Sequence, residues 1–222
     1  MVVALPGVHS AVVAFVILSA VAGFPGVAAA QPISPEPSHP ASPQPSPATA
    51  AEPSPSPSVA TRVVVPTLGI DVPVISGDQR VRRQGPDRYP PCDVALYHTT
   101  FGQPGDAAAT YLYAHARPGM FLALLEASRL EEGVAMLGAA VEVYTSDEKR
   151  YVYEIRGVKR HAVDYSLALG VPEGEGRLVL QTSEGPRGRL PKLQVLAVLV
   201  AVEASTGREA RPRAKPRPCY SP

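Results

Sequence analysis

Three polar residues at the ends of apolar segments carry the side chains that acyl-transfer chemistry requires. His115 follows Tyr111–Ala114, Ser183 stands just beyond Leu178–Gln181, and Lys192 precedes a long apolar run. A hydroxyl, an imidazole and a cation supply a nucleophile, a proton carrier and a group that stabilises an oxyanion. The pattern alone is weakly specific, because a lone histidine at a strand end is usually structural and a serine close to Gly-Pro commonly forms a turn.

The elements that must position these residues are predicted to be short β-strands. Alternating or continuous apolar residues predict strands near residues 62–65, 70–75, 110–115, 141–143, 151–155, 178–180 and 193–202. The last of these is apolar on both parities, which is typical of a central, fully buried strand. Phe121, Leu124 and Leu125 have helical spacing and predict a short helix over about residues 119–129. Many short strands with Gly and Pro between them favour an all-β barrel or sandwich.

The two ends of the chain differ in composition from the middle. Residues 1–30 contain the apolar run Ala11–Phe24 and then small residues before Gln31, which indicates a signal peptide or an uncleaved signal anchor, although no Lys or Arg precedes the run. Residues 31–60 are rich in Pro and Ser and predict a disordered linker. The folded domain is expected over residues 61–205, followed by a basic, Pro-rich, disordered tail over 206–222.

Charge and cysteine content narrow the chemistry further. The net charge of +1 gives no argument for a nucleic-acid partner. Cys92 and Cys219 are the two cysteines, and their separation fits no zinc spacing, so they form at most one bridge that closes a long loop. No carboxylate cluster points to a metal, and we expect neither a metal nor another cofactor.

Four segments, in order along the chain, resemble the sortase family of transpeptidases, with a likeness to its classes E and F. They span nearly all of residues 61–203. The first comprises Arg62–Pro66 and Gly69–Val74, and the second comprises Pro104–Asp106, Tyr111–His115 and Gly119–Leu125. The third is Leu178–Ser183, and the fourth is Lys192–Ala197.

The resemblance implies a fold, an activity and a location. The fold would be a closed sortase-type barrel of about eight strands with one or two short helices. Sortases cleave a sorting-signal peptide at threonine and pass the acyl group to an amine, outside the cytoplasmic membrane. By position, His115 would be the acid/base, Ser183 would occupy the nucleophile position, and Lys192 would occupy the arginine position. Membrane contact is expected only through the N-terminal segment, if that segment is uncleaved.

Two of these three positions depart from the family pattern. Serine replaces the catalytic cysteine, and a hydroxyl needs a base to remove its proton during attack, whereas a thiol ionises readily. Lysine replaces a planar guanidinium with a point charge, so Arg187 or Arg189 is an alternative source of that group. A desolvated Lys192 is itself an alternative base, which would make a Ser–Lys pair.

Cys92 is a second candidate nucleophile, displaced from the usual position. It follows Pro90-Pro91 in a predicted loop rather than the strand that ends at Ser183. A structural role in a disulfide with Cys219 is therefore favoured.

These observations leave three hypotheses. The first is a serine-dependent transpeptidase or hydrolase, which the intact His115 segment and the turn after Gln181 favour. The second is a catalytically impaired barrel that binds a peptide or a wall component, which the loss of both Cys and Arg favours. The third is an inert scaffold.

Overall fold

The computed structural model describes residues 57–78, 90–185 and 190–219. The predicted signal segment, most of the predicted linker, and Arg187 and Arg189 therefore lie outside the described residues. None of the helices within the described ranges is long and apolar enough to cross a membrane.

The described residues form eight strands that close into one barrel, which confirms the predicted fold class. The order around the barrel is β1-β2-β3-β4-β7-β8-β6-β5, and β5 pairs with β1 to close it. The strands are β1 (Ala60–Val65), β2 (Ile70–Ser76), β3 (Ala95–Tyr97), β4 (Thr110–Tyr113), β5 (Ala140–Thr145), β6 (Lys149–Ala162), β7 (Arg177–Ser183) and β8 (Lys192–Ala204). Two short α-helices accompany them, α1 (Leu122–Arg129) and α2 (Gly207–Ala210), with 3₁₀ turns at Pro66–Leu68, Glu131–Met136 and Ser166–Ala168.

The inward-facing side chains of the barrel are apolar and fill its interior. Along β7, Leu178 and Leu180 are fully buried in the main core, together with Leu112 of β4 and Val195 of β8. Val179 points the other way, into a second small cluster outside the barrel. This alternation is the period of two that a strand imposes on its side chains, and it fixes which residues reach the interior.

The pairing of β4, β7 and β8 brings the predicted site residues to one end of the barrel. β4 and β7 are parallel, so their carboxyl ends meet at the same edge. β8 is antiparallel to β7, so the start of β8 lies beside the end of β7, with Ser183 directly opposite Lys192. A residue that follows β4, one that ends β7 and one that begins β8 must therefore be neighbours.

Two parts of the chain differ from the sequence-based expectations. β8 is not buried throughout: Val200 and Val202, in its second half, are 53% and 50% exposed. The strand extends past the main core, so its apolar character there does not reflect a central position. A three-residue strand, β3, also lies where the sequence analysis predicted no element, because it is too short to show periodicity.

The C-terminal segment has defined structure up to Cys219, where a disordered tail was expected. Helix α2 begins with a capping box, in which Thr206 and Glu209 exchange side-chain and backbone hydrogen bonds. Arg217 then pairs with Cys92 as an isolated antiparallel bridge, and Cys219 forms a disulfide with Cys92. Local capping and one covalent bond therefore order a segment whose composition resembles that of a linker.

Candidate active site

Ser183 and Lys192 form a direct hydrogen bond at the loop end of the β7–β8 hairpin. Lys192 Nζ donates to Ser183 Oγ over 2.9 Å. Lys192 is half-buried, and the loss of solvation lowers the pKa of its ammonium group from the ordinary lysine value. A lysine with a depressed pKa loses its proton more easily, which is the property that a base beside a serine hydroxyl needs.

One pocket contains all three side chains that the sequence singled out. It has a volume of about 50 Å³, and it is lined by Pro90, Tyr113, Ala114, His115, Gln181, Thr182, Ser183 and Lys192. A cavity of this size holds a few waters or the end of a side chain. The structure therefore brings the predicted imidazole, hydroxyl and cation together.

Hydrogen bonds between β4 and β7 hold the two halves of the pocket in register. Thr182 Oγ1 donates to the Ala114 carbonyl over 2.9 Å, and the Ala114 amide donates to the Gln181 carbonyl over 3.1 Å. These bonds join Ala114, just before His115, to Gln181 and Thr182, just before Ser183. The separation of the two functional groups is thus set by ladder geometry rather than by flexible loops.

His115 is buried, and its imidazole contacts the backbone next to Cys92. Nε2 lies 2.7 Å from the Pro90 carbonyl oxygen, which can only accept a hydrogen bond, so Nε2 carries the proton. Burial is the main cause that lowers the pKa of His115, with smaller contributions from the positive charges of Arg117 and Lys192, while the Pro90 contact opposes them. A neutral imidazole with its proton on Nε2 has the lone pair of Nδ1 as its basic position.

A buried carboxylate fixes the residue that follows Ser183. The Glu184 side chain is only 5% exposed. It accepts hydrogen bonds from Arg160 Nε over 3.1 Å and from the His161 backbone amide over 2.7 Å. Since Glu184 adjoins Ser183 in the chain, its anchoring on β6 restricts the backbone that carries the hydroxyl. The sequence analysis had assigned no role to Glu184, because its partners lie more than twenty residues away.

Cys92 lies beside His115 and is joined to Cys219 in a disulfide. Ligand atoms of Cys92, His115 and Cys219 all lie within 4.8 Å of one another. The reason is topological: β3 is antiparallel to β4, so the residues before β3 adjoin those after β4. Both sulfurs are committed to the disulfide and offer no thiolate ligand, so this group does not provide a metal site in its oxidised form.

The predicted disulfide role of Cys92 agrees with this bond, but its position next to the imidazole was not foreseen. The sequence showed only that Pro90-Pro91-Cys92 precedes the β3 region, and the neighbourhood with His115 arises from strand pairing. The position of Cys92 beside His115 makes this cysteine an alternative to Ser183 as the nucleophile. The roles of Arg187 and Arg189 stay predictions, while Arg117 is a charged residue near His115 that the sequence analysis missed.

Comparison with solved structures places sortases among the similar folds. Streptococcus pneumoniae sortase C has 16% sequence identity and a TM-score of 0.48, with coverage of 64% of this chain and 68% of that chain. A sortase C2 from Group B Streptococcus pilus island 1 has 18% identity and a TM-score of 0.47, over 63% and 73% of the two chains. Listeria monocytogenes sortase A has 16% identity and a TM-score of 0.49, over 67% and 90%. No curated protein matches the sequence significantly.

The family model for the sortase domain matches residues 63–200, which is most of the folded part of the chain. The chain therefore belongs to the sortase family, a family of transpeptidases, and the match begins in β1 and ends in β8. Assignment to class E or F stays a prediction.

Proposed function

We propose that this chain is a sortase-type acyl-transfer enzyme in which Ser183 is the nucleophile and Lys192 removes its proton. The 2.9 Å contact between Lys192 Nζ and Ser183 Oγ is the observation that supports this most directly. The depressed pKa of Lys192 supports the same role, since it increases the fraction of neutral amine at a given pH. This is the Ser–Lys alternative that the sequence left open.

The proposed reaction has two acyl-transfer steps. As Lys192 takes the proton, Ser183 Oγ attacks the scissile carbonyl carbon of the peptide, and the carbon–nitrogen bond then breaks to leave an ester on Ser183. The proton that Lys192 has taken must then reach the leaving amine, and we assign this transfer to His115 as a relay, in which Nδ1 accepts one proton as Nε2 releases another. An acceptor amine next attacks the ester and releases the serine hydroxyl; water in its place would give hydrolysis.

His115 must exchange its partner during this cycle. Its Nε2 proton is held by the Pro90 carbonyl in the structure described. Hydrogen bonds in unliganded active sites often tighten or change partner only when substrate is bound. A peptide that enters the pocket would therefore displace or rotate the Pro90 segment before His115 acts as an acid.

The proposed substrate is a sorting-signal-type peptide, and the proposed acceptor is an amine of another protein or of the cell wall. The Pro/Ser-rich segment before the barrel fits a spacer that holds the domain away from a membrane or through a wall layer. We accordingly propose that the protein acts outside the cytoplasmic membrane.

A catalytically impaired peptide-binding barrel is the second candidate function. The contact between His115 Nε2 and the Pro90 carbonyl favours it, because this hydrogen bond keeps the imidazole proton away from the Ser183–Lys192 pair.

The experiment is a transpeptidation assay of the full chain with a peptide library and an amine acceptor, read by mass spectrometry. Ser183→Ala should lower product formation at least about a thousandfold, as expected for loss of a nucleophile. Ser166→Ala is the matched control, because that exposed hydroxyl does not line the pocket. Turnover that survives in Ser183→Ala would overturn the serine mechanism; peptide binding without product in the wild-type chain would favour the binding module.

A further inference from the structure

The disulfide beside His115 has one buried sulfur and one partly exposed sulfur. Cys92 is 1% exposed and belongs to the hydrophobic core. Cys219 packs against that core while keeping part of its surface exposed. Thiol–disulfide exchange requires an incoming thiolate to reach one sulfur and expel the other. Cys219 is the accessible sulfur, so Cys92 would be the leaving group.

The same carbonyl group connects the disulfide to the imidazole. The Pro90 oxygen lies 2.7 Å from His115 Nε2 and 3.5 Å from Cys219 Sγ. A thiolate that forms on Cys92 would appear within 4.8 Å of the imidazole. A nearby His stabilises a thiolate and makes it a better leaving group.

The backbone keeps the two cysteines close without help from the covalent bond. The Cys92 amide donates to the Arg217 carbonyl over 2.8 Å, and the Arg217 amide donates to the Cys92 carbonyl over 3.3 Å. Arg217 also forms an ion pair with Asp93. Cys219 would therefore remain near Cys92 after reduction, so the bond can form again within the same chain.

We propose that Cys92–Cys219 is a reversible thiol-exchange site for dithiol reductants, in which Cys219 is attacked, Cys92 is the leaving thiolate, and His115 stabilises that thiolate. This inference is independent of the serine mechanism, because it concerns a reaction of the disulfide itself. It gives the sulfur atoms next to the pocket a chemical role beyond that of a structural staple.

The exchange balances with one dithiol as the named reductant. Its thiolate attacks Cys219 Sγ, the sulfur–sulfur bond breaks, and the electron pair goes to Cys92 Sγ. The second thiol of the reductant then attacks the mixed disulfide and releases Cys219. The dithiol is oxidised to a cyclic disulfide by two electrons, and its two protons end on the protein thiols or on His115.

The charges around the site favour a thiolate at Cys92. Arg117 and Lys192 face His115, and the Asp93–Arg217 pair lies beside the two cysteines. In the disulfide form, burial lowers the pKa of His115, with smaller contributions from the charges of Arg117 and Lys192. A thiolate at Cys92 would oppose that effect, because an adjacent negative charge favours the imidazolium.

The test measures reduction and alkylation of the full chain under native conditions. Dithiothreitol is added without denaturant, and short iodoacetamide pulses between about pH 5 and pH 9 are followed by peptide mass mapping of both cysteines. We expect native reduction, and a pH midpoint for Cys92 labelling well below the ordinary thiol value of about 8.5. Cys219 should keep the ordinary midpoint, so that at low pH the fraction of Cys92 in its reactive form is at least about tenfold higher.

His115→Gln is the informative variant, because the burial of Cys92 is common to both chains, so a difference between their midpoints reports the imidazole. It should move the Cys92 midpoint toward that of Cys219 and slow the reduction. The single variants Cys219→Ser and Cys92→Ser report each thiol in isolation, should the reduced wild-type chain lose its fold. Reduction that needs denaturant, equal midpoints for the two thiols, or a midpoint unaffected by His115→Gln would each overturn the proposal.

Discussion

The two sides of the pocket bring a candidate nucleophile close to a titratable side chain in different ways. On one side, strand register alone sets Ser183 opposite Lys192, and the pair is polar and half-exposed. On the other side, the β3–β4 pairing places Cys92 next to His115, and a disulfide joins Cys92 to Cys219 in the C-terminal segment. In the proposed mechanism the first pair acts without a redox change, whereas the second must be reduced before its sulfur can react. The comparison distinguishes a serine pair whose proposed reaction is independent of redox state from a cysteine whose reaction depends on it.

The largest expected effect is on the polar side of the pocket. Lys192→Met should lower the acyl-transfer rate by about 10²–10⁴, because it removes the proposed base. Lys192→Arg should not restore the rate, because a guanidinium keeps its proton. Lys149→Met, which alters an exposed lysine outside the pocket, is the control.

The pH profile of the acyl-transfer rate also tests whether Lys192 is the base. Since burial lowers the pKa of Lys192, the rate of the wild-type chain should rise with pH and level off below the ordinary lysine value. A Lys192→Met variant that keeps both its rate and its pH profile would assign the base to another group.

The sulfur side should respond in stability rather than in turnover. The Cys92→Ser, Cys219→Ser double variant opens a loop with a sequence separation of 127 residues. The chain-entropy model then gives a loss of roughly 4–5 kcal/mol in the free energy of unfolding. Urea denaturation of oxidised wild type and variant measures it. A loss under about 1 kcal/mol would show that the disulfide is not an important stabiliser of the barrel.

Glu184 tests whether the polar side depends on its support from β6. Glu184→Gln keeps the shape but removes the charge that meets Arg160 and the His161 segment. We expect a loss of about 1–3 kcal/mol in the free energy of unfolding, because a buried charge-assisted bond is weakened. A matched change at Glu203, which is exposed and pairs with Arg150, should cost less than about 1 kcal/mol. Equal losses would show that the burial of Glu184 is unimportant.

The smallest effect is expected at Arg217. Arg217→Ala removes an exposed ion pair with Asp93 but retains the backbone bridge and the disulfide. Exposed pairs contribute about 0–1 kcal/mol, so the thermal midpoint should change by only a few degrees. A large drop would mean that this ion pair, rather than the covalent bond, holds the C-terminal segment.

The sequence predicted those features that depend on local pattern. Apolar runs along β7 and β4 located the strands, and their ends located His115 and Ser183 before any pairing was known. The order of the motifs, through the family resemblance, predicted the closed barrel. The three-residue strand β3 had no usable period, and the apolar second half of β8 was misinterpreted as buried, because hydropathy does not show where a strand leaves the core.

The features that the sequence did not predict depend on contacts between distant segments. Glu184 contacts Arg160 of β6, which lies far from it in the sequence. Cys92 contacts the region of His115 only because β3 runs antiparallel to β4. The ordered segment up to Cys219 was missed for the same reason, since its Pro-rich composition resembles a linker and its order comes from the disulfide and the Arg217 bridge.

The most direct measurement of the central claim is to trap the acyl-enzyme in the oxidised chain and map the modified residue by peptide mass spectrometry. The serine mechanism predicts an ester on Ser183, with Cys92 and Cys219 still joined and with unchanged yield after treatment with a thiol alkylating reagent. An acyl group on Cys92, formed only after reduction and blocked by alkylation, would contradict it and would assign the nucleophile to the sulfur side of the pocket.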